Sequence, residues 1–127
     1  MIERQCIILC NFNEKEKKLL KSYGMMMGLK DQINVSYKNS ETILKNILDG
    51  NLLSDAKDGI KDRAIIFNNI SEIKVSMFID NMKKMRKAPS MKAVVTETSV
   101  EWTLNELLEN LKAERRAEKK GKILEHH

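Results

Sequence analysis

The feature that most limits what this chain can fold into is the shortness of its apolar runs. Cys6-Ile7-Ile8-Leu9-Cys10, Arg63–Phe67 and Lys92–Val95 are dense in apolar side chains but end after four or five residues. Runs of that length suit strands covered on both faces, and they fall far short of the roughly 20 apolar residues of a membrane span. A further segment, Gln32–Tyr37, alternates Ile33, Val35 and Tyr37 with Gln32, Asn34 and Ser36. One of its faces is therefore wet, which fits an edge strand better than a central one.

Helical spacing fills the intervals. Asn13 with Glu16 forms a capping-box pattern that predicts a helix to about Tyr23, burying Leu19, Leu20 and Tyr23 and closed by Gly24. Ser40 caps a second helix carrying Ile43, Leu44, Ile47 and Leu48 and ended by Gly50, after which residues 51–62 read as loop. Ser71 caps a third, with Ile70 placed to pack on Val75 and with Val75, Phe78, Ile79, Met82 and Met85 on one stripe. Ile73 and Met77 fall on the opposite side, either as isolated exposed residues or as a partner or homodimer patch. Pro89 separates the basic stretch Lys83–Lys87 from the last strand. Two capping boxes, Thr98 with Glu101 and Thr103 with Glu106, compete for a fourth helix that starts between Ser99 and Thr103 and buries Leu104, Leu107, Leu108 and Leu111; Trp102 can staple to Leu107. This order, β-α-β-α-β-α-β-α, predicts an α/β fold of two or three layers with a mostly parallel four-stranded sheet and the second strand at an edge. No internal repeat is evident. Residues 1–111 form the single domain, 112–123 a charged helical extension, and 124–127 resemble an expression-tag remnant.

The chain has 127 residues, with 23 Lys and Arg against 18 Asp and Glu, for a net charge of +5. Much of the excess sits in Lys112, Arg115, Arg116, Lys119, Lys120 and Lys122, opposed only by Glu114 and Glu118. Such a tail suits nucleic acid or an acidic partner, or is simply a solvated helix end. Both histidines, His126 and His127, lie in the tag-like terminus, so the remainder lacks the commonest general base and a His-ligated zinc site. Cys6 and Cys10, four apart on a strand, are too distant to bridge and fit buried residues in a reducing compartment. With no signal-peptide pattern either, the expectation is a soluble, cytoplasmic protein without membrane contact.

Ile66-Phe67-Asn68-Asn69-Ile70-Ser71 and Ala93-Val94-Val95-Thr96-Glu97-Thr98-Ser99-Val100-Glu101-Trp102-Thr103 resemble the bacterial family known as domain of unknown function 3783, and Phe78-Ile79 and Pro89 between them fit the same pattern. The resemblance runs from about Cys6 to Leu111, with the threonine-rich turn before Trp102 its most specific part. It implies a small α/β bacterial protein and brings no activity, cofactor or catalytic residue. The basic extension after Leu111 is not explained by it.

Parallel strands would gather their C-terminal loops along one rim, where open α/β sheets bind ligands. Asn11, Asn68, Asn69, Thr96, Thr98 and Ser99, with Trp102 beside them, are the candidate ligand-binding residues there; the same residue types are what caps and turns use for their own backbone. The rim is neutral and polar, which favours a non-enzymatic module recognising a small polar ligand or a protein partner. The alternative is nucleic-acid binding through the tail and Lys83, Lys84, Arg86 and Lys87, with few aromatics for base stacking. An enzyme using Cys10 or Glu97 is a third class. No catalytic set, metal site or cofactor motif is present in the sequence.

Overall fold

The computed structural model describes residues 4–84 and 91–125, and for Lys84 and residues 118–125 only the backbone. Met85, Arg86, Lys87, Pro89, His126 and His127, on which parts of the sequence reading fall, lie outside the described residues. The elements are β1 (Cys6–Cys10), α1 (Glu14–Met26), β2 (Gln32–Val35), α2 (Leu44–Leu48), β3 (Ala64–Asn68), α3 (Glu72–Lys84), β4 (Met91–Val94) and α4 (Leu104–Glu125). Short 3-10 turns at Tyr37–Asn39 and Ser99–Glu101 precede α2 and α4.

The four strands form one sheet in the order β2-β1-β3-β4, so β2 is at an edge as its alternation predicts. β1 runs parallel to β2 and β3 parallel to β4, but the central pair, β1 with β3, is antiparallel. The sheet is thus mostly parallel as expected, but the one antiparallel pair means that the strands do not all end along a common rim, and that expectation is corrected. Helices α1 and α3 are the crossovers that the parallel pairs β1–β2 and β3–β4 require. The link from β2 to β3, through α2 and the loop 51–62, allows either direction. The runs Ile7–Leu9 and Ile65–Phe67 are wholly buried, and a strand covered on both faces looks the same in either orientation.

Three layers result. Ile7, Leu9, Ile65 and Phe67 face α1 and α3, where Leu20, Phe78 and Met82 cover them; the Phe67 and Phe78 rings meet edge-on at 5.8 Å. Cys6, Ile8, Cys10 and Ile66 face α2 and α4, under Leu44, Ile47, Leu104 and Leu108. Burial of these side chains, worth roughly 1.5–3 kcal/mol each, is what holds the layers together.

The molecule is an internal repeat, although no repeat is evident in the sequence. The unit β1-α1-β2-α2 is followed by the unit β3-α3-β4-α4, and a two-fold axis passes between Ile8 and Ile66, the centre of a register that pairs Cys6 with Asn68 and Cys10 with Ala64. The same axis reappears at the bridge between Ile43 and Thr103. There the Leu44 N–H donates to Trp102 O and the Leu104 N–H donates to Thr42 O, both at 2.9 Å.

Two helix boundaries also differ from expectation. Gly24 does not end α1; it lies inside it, because Leu29 O and the Gln32 side chain approach so closely that a Cβ would collide with both. The left-handed residue that closes the helix is Gly28, at φ +78°. Likewise α2 begins after Ile43 rather than at Ser40, since the chain first makes the 3-10 turn and then the bridge to Thr103; Gly50, at φ +83°, ends it as predicted. Among the described residues no helix is long and apolar enough to cross a membrane.

Candidate functional site

The antiparallel centre splits the expected rim into two ends of the sheet. Asn11 follows β1 at one end, whereas Asn68, Asn69, Thr96, Thr98 and Ser99 gather at the other, after β3 and β4. Both turns use an asparagine in the left-handed region, Asn11 at φ 64° and Asn69 at φ 56°. Asparagine tolerates that conformation better than most residues, which explains its presence at both two-fold-related turns without a ligand.

Most of these side chains bond to the protein itself. Asn11 Nδ2 donates to Ile60 O at 3.0 Å and Asp62 O at 2.9 Å, while its Oδ1 accepts from the Tyr37 N–H at 2.8 Å. Asn68, almost fully buried, donates to Arg4 O at 2.7 Å. In each half an asparagine thus clamps the segment that leads into the opposite central strand. Thr96 and Ser99 form a reciprocal cap: Ser99 Oγ accepts from the Thr96 N–H at 2.9 Å, and Thr96 Oγ1 accepts from the Ser99 N–H at 3.0 Å. Ser36 and Asn39 make the equivalent cap before α2. Of the two boxes competing for the start of α4, Thr103 with Glu106 is made, at 3.1 Å in both directions, and the Thr98 side chain caps nothing. Trp102 is half-buried against the α2/α4 core, and its carbonyl serves the two-fold bridge.

Neither thiol is poised for chemistry. Burial pushes Cys10 up to about 12 and Cys6 to about 11, so both stay protonated at neutral pH, and Cys10 is fully enclosed. Among the described residues no cluster of His, Cys, Asp and Glu could hold a metal ion.

The other end of the sheet, where β1 stops and β4 starts, carries the charge. Lys92 on the edge strand β4 lies close enough to Lys83 of α3 and Arg115 of α4 for both to lower its pKa, after a larger lowering by burial. Arg115 and Arg116 line an open cavity of about 250 Å³ with Lys112 and Asp62. A second, of about 430 Å³, continues from Asp62 and Lys112 to Lys61, Asn105 and Glu109. Asp62 and Lys112 are 3.8 Å apart and both well exposed, a pairing that water largely screens. The basic residues of α4 were visible in the sequence; their meeting with Lys92 was not, because Lys92 read only as the first residue of an apolar strand.

Residues 63–117 match the family described as Domain of unknown function (DUF3783). The matched stretch coincides with the second repeat from β3 into α4, so the similarity starts later than the expected Cys6 and extends past Leu111 to include Lys112, Arg115 and Arg116. No curated protein and no solved structure matches the chain.

Proposed function

We propose that the protein is a non-enzymatic module that binds nucleic acid through the phosphate backbone at the basic end of its sheet. The observation that carries this reading is the concentration of Lys83, Lys92, Lys112, Arg115 and Arg116 at one end of the sheet, supplied by β4 and by the helices on both of its faces. Like charges brought together raise the free energy of the folded chain, and an anionic ligand relieves that cost. A row of phosphates fits an open, elongated surface better than an enclosed pocket does. Base stacking contributes little, since Trp102 and Tyr23 are half-buried in the cores and Tyr37 is covered by Lys61, whose ammonium sits 4.9 Å from the ring centre. A polar ligand at the Asn68–Thr96 end has less support, because Asn68, Thr96 and Ser99 are engaged with the chain itself.

The test is fluorescence anisotropy of a labelled DNA duplex against salt concentration. Affinity should fall linearly on a log–log plot, and Lys92→Gln or Arg115→Gln should each reduce the slope by about 1. Absence of binding at low ionic strength, or slopes unchanged in both variants, would remove the proposal.

A further inference from the structure

The outer surface of α1 and α3, away from the basic end, bears apolar side chains that the fold does not use. Met26 is 83 % exposed and Ile73 74 % exposed, and Met25 and Met77 are each about half exposed. The stretches of α1 and α3 that carry them are neighbours. Asn81 donates to Met27 Sδ at 3.7 Å, and a Cβ on Gly28 would lie 3.9 Å from Lys74 Nζ, so the C-terminal end of α1 abuts α3 between Lys74 and Asn81. Met77 lies on that same stripe of α3, and Ile73 is one turn before it. The two helices thus present one apolar patch composed mainly of methionine, a side chain flexible enough to fit varied partner surfaces.

Its surroundings are basic. Lys74 reaches toward Gly28, Lys18 and Lys21 precede Met25 by two turns and one turn on α1, and Lys30 follows the helix; all four are exposed, against Glu72 and Asp80 on α3. A second copy of the chain would bring the same lysines face to face, which disfavours a symmetric dimer here. We infer that this patch docks an acidic amphipathic helix, its apolar stripe laid on Met25, Met26, Ile73 and Met77 and its carboxylates reaching the lysines. The surface is independent of the nucleic-acid reading and would let the protein hold two partners at once.

The experiment titrates the full chain against a fluorescent synthetic helix with leucines at i, i+3, i+4 and i+7 and glutamates elsewhere, with a lysine-substituted helix as control. The glutamate helix should bind and the lysine helix should not. Ile73→Ser with Met77→Ser should weaken binding by about tenfold or more, as expected for central apolar anchors, and Lys18→Gln with Lys21→Gln should weaken it less. All four positions are exposed, so an unchanged unfolding midpoint verifies that the variants fold. No binding, or binding indifferent to both double variants, overturns the inference. So does binding to phosphatidylserine vesicles in place of the peptide, which would make the patch a membrane contact. A concentration-dependent dimer abolished by the Ile73/Met77 variant would likewise overturn it, by identifying the occupant as a second copy.

Discussion

The two repeats share a backbone and differ in what they expose. In the first, the edge strand β2 carries Gln32 at the position where β4 carries Lys92, and the Gln32 side chain turns inward to Leu20 O and Leu29 O. In the second, Lys92 lies within the electrostatic reach of Lys83 and Arg115. After α2 the chain turns at Gly50 and folds back as the loop to β3, whereas after the corresponding turns of α4 it continues as helix to Glu125. One half is closed by its own chain; the other extends beyond the core and gathers charge. A duplicated architecture can thus keep one copy for mutual support and release the surface of the other for contact with other molecules.

Several substitutions test how far the halves depend on one another. The largest effect is expected from Phe78→Ala, which empties the α3 side of the core and should cost about 3–5 kcal/mol; its two-fold counterpart, Leu20→Ala, should cost about 2–5 kcal/mol. Because both halves share one sheet, each variant should lower a single urea-unfolding midpoint. A separate transition in Leu20→Ala, with the second repeat still folded, would break the comparison. Next, Asn11→Ala removes three hydrogen bonds and places a Cβ at φ 64°, for an expected loss of about 3 kcal/mol in the same assay. Asn11→Gly should recover about 1 kcal/mol of it by accepting the left-handed backbone.

Smaller effects separate the helix starts. Thr103→Ala removes a working cap and should cost about 1 kcal/mol, measured by thermal melting. At the equivalent position Ile43 provides no side-chain cap, and Ile43→Thr should gain less than about 1 kcal/mol because it also loses apolar surface. The smallest effect concerns an ion pair of the first repeat. Arg4 donates to both carboxylate oxygens of Asp31, at 2.6 and 2.7 Å, and these hydrogen bonds hold the Asp31 carboxyl below its usual value. A carboxylate with a depressed folded pKa stabilises above its unfolded value, near 3.8, and that contribution disappears as the pH falls through the folded value. Asp31→Asn should therefore destabilise by less than about 1 kcal/mol at pH 7, given the pair's exposure, and should match the parent protein in acid; a gap that persists at pH 2 would contradict this.

The strands, their order along the chain and the edge character of β2 were legible because buried strands demand apolar runs and a half-wet strand demands alternation. The direction of β3 was not, since Ile65-Ile66-Phe67 fits either polarity. The repeat was hidden by its own divergence. Ile7, Ile8, Asn11 and Glu14 correspond to Ile65, Ile66, Asn69 and Glu72, and Val35, Glu41, Leu44 and Leu48 correspond to Val95, Glu101, Leu104 and Leu108, but the spacing between partners grows by two residues from the first set to the second. Eight scattered identities at two spacings resemble background composition. The single rim divided for a related reason: asparagines after β1 and β3 signal the same turn made twice, on opposite ends of one sheet. The basic end depends on three elements bringing Lys83, Lys92 and Arg115 to the same end of the sheet, which no local pattern reports.

The pairing of Ile8 with Ile66, and of Ile43 with Thr103, has a consequence during synthesis on the ribosome. When the first repeat leaves the exit tunnel, β1 has β2 on one side and nothing on the other, and the N–H of Leu44 has no Trp102 carbonyl to meet. Contacts so distant along the chain form slowly, and an uncovered central strand invites aggregation until they do. The nascent first half must therefore wait for its second half before β1 is covered.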